Sequence, residues 1–106
     1  MTADDAASDT ASRDVLAELF AVIEDRRETL PEGSYTTALF THEKGENAAL
    51  EKLGEETTEV ILAAKDGDGD EIAAESADLV YHLLVVLAMH DVTLADLLTE
   101  LEARRG

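Results

Sequence analysis

The chain has no cysteine, which removes disulfides, thiolate zinc sites and cysteine nucleophiles from consideration. Cations are scarce as well: 8 lysines and arginines stand against 25 acidic residues, for a formal net charge of −17. That balance leaves no patch able to grip a nucleic-acid backbone, so nucleic acid is not expected as a partner. No run reaches the ~18–20 continuous apolar residues of a membrane span, and Met1 to Arg13 has neither the basic flank nor the apolar core of a signal sequence. A soluble cytoplasmic protein with no membrane partner is expected. The three histidines, His42, His82 and His90, are too scattered to form a zinc cluster. Acidity spread over every segment matches the surface of a protein working in a high-salt cytoplasm, where screening removes self-repulsion.

The 106 residues suffice for one modest core. Residues 1–12 are small and polar without periodicity and are expected to form a disordered leader, with the folded domain over 13–106. Leu16, Leu19, Phe20 and Ile23 have helical spacing, and Pro31-Glu32-Gly33 stops that helix. Ser34 is expected to cap a short helix through Phe40. A third helix over about 47–65 carries Ala49, Leu50, Leu53, Val60, Ile61 and Ala64 on one face and ends at Asp66-Gly67-Asp68-Gly69, a tight reversal. A fourth, over about 70–91, is apolar nearly all round, which suits the centre of a bundle or a subunit interface. Thr93 followed by Asp96 is an approximate capping box for a fifth helix with Leu94, Leu97, Leu98 and Leu101. No convincing strand remains, so the expected fold is all-α: a small bundle of four to five helices.

Five carboxylates carry the chemistry. Glu56/Glu59 and Glu75/Asp78 are i,i+3 pairs on the third and fourth helices, and Glu55 precedes the first pair. The short turn makes these helices antiparallel neighbours, so four carboxylates can face one point at the rim of the core. Like charges so placed repel unless a cation joins them, and hard oxygen donors suit Mg²⁺, which keeps positions open for water and phosphate. Asp66, Asp68 and Asp70 copy the start of an EF-hand loop, but Glu71 replaces its glycine and Ala77 its bidentate glutamate, so that turn is only polar. His82, one turn beyond Asp78, fits either a contact supporting the site or a hydrogen-bonded core histidine. Lys52 precedes Glu55 and Glu56 in the weaker order for a helix pair, which leaves a phosphate contact as an alternative to surface pairing. Lys44 in the loop can serve likewise, and Lys65 suits the helix C-terminus.

Glu55-Glu56-x-x-Glu59 followed by Glu75-x-x-Asp78 resembles the metal-binding pattern of the all-α nucleoside triphosphate pyrophosphatases, the MazG-like superfamily. Ser34-Tyr35-Thr36, Lys52-Leu53-Gly54-Glu55-Glu56, Ala63-Ala64-Lys65 and Ala77-Asp78-Leu79-Val80-Tyr81-His82-Leu83-Leu84-Val85 resemble, within it, the phosphoribosyl-ATP pyrophosphatase family of histidine biosynthesis, over about Val15 to Arg105. The resemblance implies a MazG-like bundle completed by dimerisation, in the form not fused to a cyclohydrolase. It also implies hydrolysis of phosphoribosyl-ATP to phosphoribosyl-AMP and pyrophosphate. Glu56, Glu59, Glu75 and Asp78 match the Mg²⁺ ligands, Glu55 and Glu56 the catalytic pair, and Glu55 either orients or deprotonates the water or completes the metal shell. Lys52 and Lys44 are the candidate substrate-phosphate contacts. The acidic stretch His42 to Asn47 and the segment before Arg13 depart from the family pattern. Two other functions remain as alternatives: a house-cleaning pyrophosphatase acting on other nucleoside triphosphates, and a noncatalytic acidic module that binds cations or a partner protein.

Overall fold

A computed structural model describes residues 3–106, with side chains from Val15 onward. Its elements are α1 (Ala3–Thr29), α2 (Tyr35–Phe40), α3 (Asn47–Asp66), α4 (Gly69–Met89) and α5 (Leu94–Ala103), and no strand occurs among the described residues. The all-α architecture is as expected. Helix α1 begins before the expected start near Arg13. Of the leader expected over residues 1–12, the first two residues lie outside the described ones, and no side chain of the segment is described.

The boundaries follow from caps. Ser34 Oγ accepts the Thr37 amide at the start of α2, and Asp68 accepts the Glu71 amide at the start of α4, so the Asp66-to-Asp70 turn serves as a helix cap. Between α3 and α4, Gly67 takes φ +71°, a left-handed conformation that costs a residue with a Cβ about 1–2 kcal/mol. There its amide donates to the Ala63 and Ala64 carbonyls, closing the end of α3. Thr93 and Asp96 form the complete reciprocal capping box of α5, each bond 3.0 Å long.

This two-residue link folds α3 back along α4. At the other end of the pair, His90 Nε2 lies 2.7 Å from Glu46 Oε2, just outside the opposite termini of the two helices. Helix α1 packs on α2 and α4. The core is Phe20 and Ile23 from α1, Leu39 from α2, Ala49 from α3, and Leu84, Val85 and Ala88 from α4, with Leu94 and Leu97 of α5 against it. Arg27 joins the end of α1 to that of α4, donating to the Ala88 carbonyl and to Asp91 Oδ1. By length and composition α4 would pass for a membrane span. Here it is the central helix, with Glu75, Asp78 and His82 along one side.

The buried face of α3 differs from the expected stripe. Ala48, Ala49, Glu56 and Ala63 are buried, whereas Leu50 is exposed and Ile61 is 55% exposed. At about 100° per residue, Ala49, Leu53, Glu56, Val60 and Ala63 share one side. Glu56 therefore sits within the contact between α3 and α4, while Lys52 and Glu59 flank it. The small side chains at 48, 49 and 63 let the two helices approach closely, since interaxial distance depends on the residues at the contact.

Candidate active site

Glu56 is the single fully buried carboxylate of the five, at 8% exposure. A buried carboxylate requires a polar partner. Its partner is His82 of α4, itself 6% exposed, whose Nδ1 stands 2.9 Å from Glu56 Oε1. The same Nδ1 donates to the Asp78 carbonyl one turn back, at 2.9 Å. Both neighbours of Nδ1 are acceptors, so this nitrogen carries the proton, and Nε2 of the neutral ring accepts the Tyr35 hydroxyl at 2.9 Å. Beside this chain, Thr36 and Tyr81 join their hydroxyls. The rings of Tyr35, Tyr81 and His82 pack at centroid separations of 5.0–6.1 Å, His82 edge-on to both tyrosines.

The remaining carboxylates border this buried network. Glu75 is half-buried, and Glu59, Asp78 and Glu55 are exposed. Partial burial, then the charges of Asp78, Glu59, Glu71 and Glu56, hold the Glu75 carboxyl above the usual glutamate range. The charges acting on it thus come from both helices. Among the described residues, no three carboxylate or imidazole groups stand close enough to chelate a single ion in the side-chain arrangement seen. The donor chemistry nevertheless fits a hard divalent cation: hard oxygen donors, one of them anchored, with charges that repel one another.

The candidate cations gather on the neighbouring surface. A groove of about 230 Å³ is lined by Tyr35, His42, Lys44, Lys52 and Glu55, among others. Lys52 Nζ lies 3.4 Å from Glu55 Oε2, and Lys44 Nζ lies 3.3 Å from Glu51 Oε2. Glu55, with smaller help from Tyr35 and Glu56, holds the Lys52 ammonium above its ordinary value. Burial pushes the Tyr35 phenol up, Lys52 opposes this, and Tyr81, Glu56 and Asp78 reinforce it. Exposed ion pairs of this kind contribute little to stability, about 0–1 kcal/mol, so both lysines are free to exchange their carboxylates for a stronger anion. Lys65 sits in the last turn of α3, where it complements the helix dipole.

Two side chains carried no assigned role in the sequence: Tyr35, which joins the buried chain, and His42, which lines the groove. Tyr35 belongs to the Ser34-Tyr35-Thr36 string, which was the signal available; for His42 nothing marked it.

The family model described as phosphoribosyl-ATP pyrophosphohydrolase matches residues 16–105. A phosphoribosyl-ATP pyrophosphatase of Haloarcula marismortui is 70% identical over 92 residues, covering 87% of this chain and 94% of that one. That of Haloquadratum walsbyi is 67% identical over 96 residues, covering 91% and 96%. That of Pelotomaculum thermopropionicum is 53% identical over 93 residues, covering 88% and 93%. With a match that takes in all five carboxylates, both groove lysines and the Tyr35–His82–Glu56 chain, the protein belongs to the phosphoribosyl-ATP pyrophosphohydrolase family.

Proposed function

We propose that this chain hydrolyses phosphoribosyl-ATP to phosphoribosyl-AMP and pyrophosphate, the early step of histidine biosynthesis, in a Mg²⁺-dependent reaction. The observation that carries the proposal is Glu56, buried within the α3–α4 contact and held at His82, with Glu59, Asp78 and Glu56 itself among the charges that act on Glu75. Glu56, Glu59, Glu75 and Asp78 would hold the cation. The chemistry that a Mg²⁺ ion would supply there is neutralisation of charge on the triphosphate. Lys52 and Lys44 take phosphate oxygens along the groove, releasing Glu55 and Glu51. Glu55, freed from Lys52, orients the water for in-line attack at the α/β linkage and accepts its proton.

The same reading takes residues 13–106 as the catalytic domain and the cytoplasm as its location. No nucleic acid or membrane partner is invoked. It takes the protein as a homodimer: most of the apolar length of α4 is left uncovered within one copy, and Ile61 and Leu62 of α3 stand 55% and 53% exposed. A monomeric mass by light scattering at micromolar concentration in high salt would contradict the dimer.

The deciding experiment is pyrophosphate release from phosphoribosyl-ATP, with and without Mg²⁺, beside a panel of ordinary nucleoside triphosphates. Metal-dependent release with clear preference for phosphoribosyl-ATP is expected. Equal turnover across the panel would point to the house-cleaning pyrophosphatase, and no turnover of any substrate to a noncatalytic module.

A further inference from the structure

We infer that His82 is a positioning residue: its Nδ1–H edge fixes the Glu56 carboxylate against the Asp78 turn, and Tyr35 locks the imidazole in the orientation that does so. The inference rests on Glu56 being a cation ligand, as proposed above.

His82 lies where three elements meet, and each of its polar contacts reaches a different one. Nδ1 touches the Asp78 carbonyl on its own helix and Glu56 Oε1 on α3, and Nε2 takes the Tyr35 hydroxyl from α2, all at 2.9 Å. One ring thereby ties a ligand candidate of the first helix to the backbone of a ligand candidate on the second. Among the described residues Glu56 has no other hydrogen-bond or ion-pair partner, so the direction in which its second oxygen points depends on this contact.

A core histidine placed only for packing would need one acceptor for Nδ1–H and one donor for Nε2. The Asp78 carbonyl already satisfies Nδ1–H, so the approach of Glu56 to the same edge is not required to satisfy the ring. It is required by Glu56, a carboxylate at 8% exposure that would otherwise be buried without a donor. The tyrosine contact completes the device: a ring flip would exchange Nδ1 with Cδ2 and Nε2 with Cε1, leaving C–H groups against the carboxylate and against the Tyr35 hydroxyl, so one ring orientation is favoured. Partners that orient a ligating carboxylate in this way are typically worth about 10–100-fold in metal affinity or activity.

The test uses the full chain and Mn²⁺ as probe, with bound metal read from loss of the free-ion electron paramagnetic resonance signal and folding from thermal melts in chelator. Asparagine puts an amide nitrogen near the place of Nδ1, whereas glutamine puts it near Nε2 and leucine offers none. His82→Asn is expected to keep Mn²⁺ affinity within a few-fold of wild type, and His82→Gln and His82→Leu to weaken it by roughly 10–100-fold. If the leucine variant does not fold, the Asn and Gln variants carry the comparison. Tyr35→Phe deletes one hydroxyl from a half-exposed ring and should weaken binding by less than His82→Gln; unchanged binding there overturns the locking role. Wild-type affinity in His82→Gln, or an asparagine variant as weak as the glutamine one with equal melting temperatures, overturns the positioning role. Glu56→Gln is the control that separates the two readings. Normal Mn²⁺ binding in Glu56→Gln defeats Glu56 as a ligand, whereas loss there with intact binding in the His82 variants defeats the inference about His82 alone.

Discussion

Replacing Glu56 by glutamine removes one negative charge and almost no volume, and the structure gives the two consequences opposite signs. The amide oxygen of glutamine can occupy the place of Oε1 beside His82 Nδ1, so the buried contact survives. Glu56 also belongs to the set of charges that, after burial, holds the Glu75 carboxyl above its usual range. Removing one of these charges relieves repulsion, so the melting temperature in chelator should stay level or rise slightly. With Mg²⁺ the order reverses. A ligand bound by the folded state alone stabilises it by about 2.7 kcal/mol at 100 times its dissociation constant. For a domain of this size that is on the order of 10–20 °C in melting temperature. A ~100-fold loss of affinity would erase nearly all of it. Pyrophosphate release should fall by at least ~10²-fold, equivalent to about 2.7 kcal/mol of transition-state stabilisation at about 1.36 kcal/mol per decade. Thermal melts across a Mg²⁺ titration, paired with pyrophosphate release from phosphoribosyl-ATP, measure both effects. A Glu56→Gln variant with the wild-type Mg²⁺-induced shift and wild-type turnover would refute the reasoning.

Other perturbations address the fold that holds the site. Leu84 is 1% exposed at the centre of the core, so Leu84→Ala should cost about 2–5 kcal/mol, read as a lower denaturant midpoint at unchanged slope. Thr93→Ala removes the α5 cap and should cost about 1 kcal/mol by the same assay. The bonds from the Thr93 amide and hydroxyl hold the folded Asp96 carboxyl below the ordinary aspartate range, so below about pH 4 the unfolded chain binds more protons at this position. The stabilisation is complete above the unfolded value and lost as pH falls through the lowered folded one; Asp96→Asn should therefore flatten the acid limb of melting temperature against pH, and an unchanged limb would count against the cap as its source. With a net charge of −17, raising monovalent salt from 0.1 to 1 M shortens the screening length from about 10 to about 3 Å and should raise the melting temperature, whereas an ordinary balanced surface would respond weakly.

Features that depend on local chemistry were legible in the sequence, and features that depend on tertiary placement were not. Ser34, Gly67 and the Thr93/Asp96 box mark helix ends by bonds within a few residues, and each makes the expected contact. The i,i+3 carboxylate pairs follow from helical periodicity in the same way. The inward side of α3 does not, because the helix carries two apolar surfaces, one with Ala49, Val60 and Ala63 and another with Leu50 and Ile61. Weighing by side-chain size favours the second, which the structure exposes. The clue lay in size of the opposite kind: alanines at 48, 49 and 63 mark the side where α4 comes close. Glu56 lies on that side, where His82 meets it from α4 and Tyr35 contacts the ring from α2. The close approach of α3 and α4 is thus the same approach that buries Glu56, so an acid inside an alanine-lined helix contact is a signal that weighing by large apolar side chains passes over.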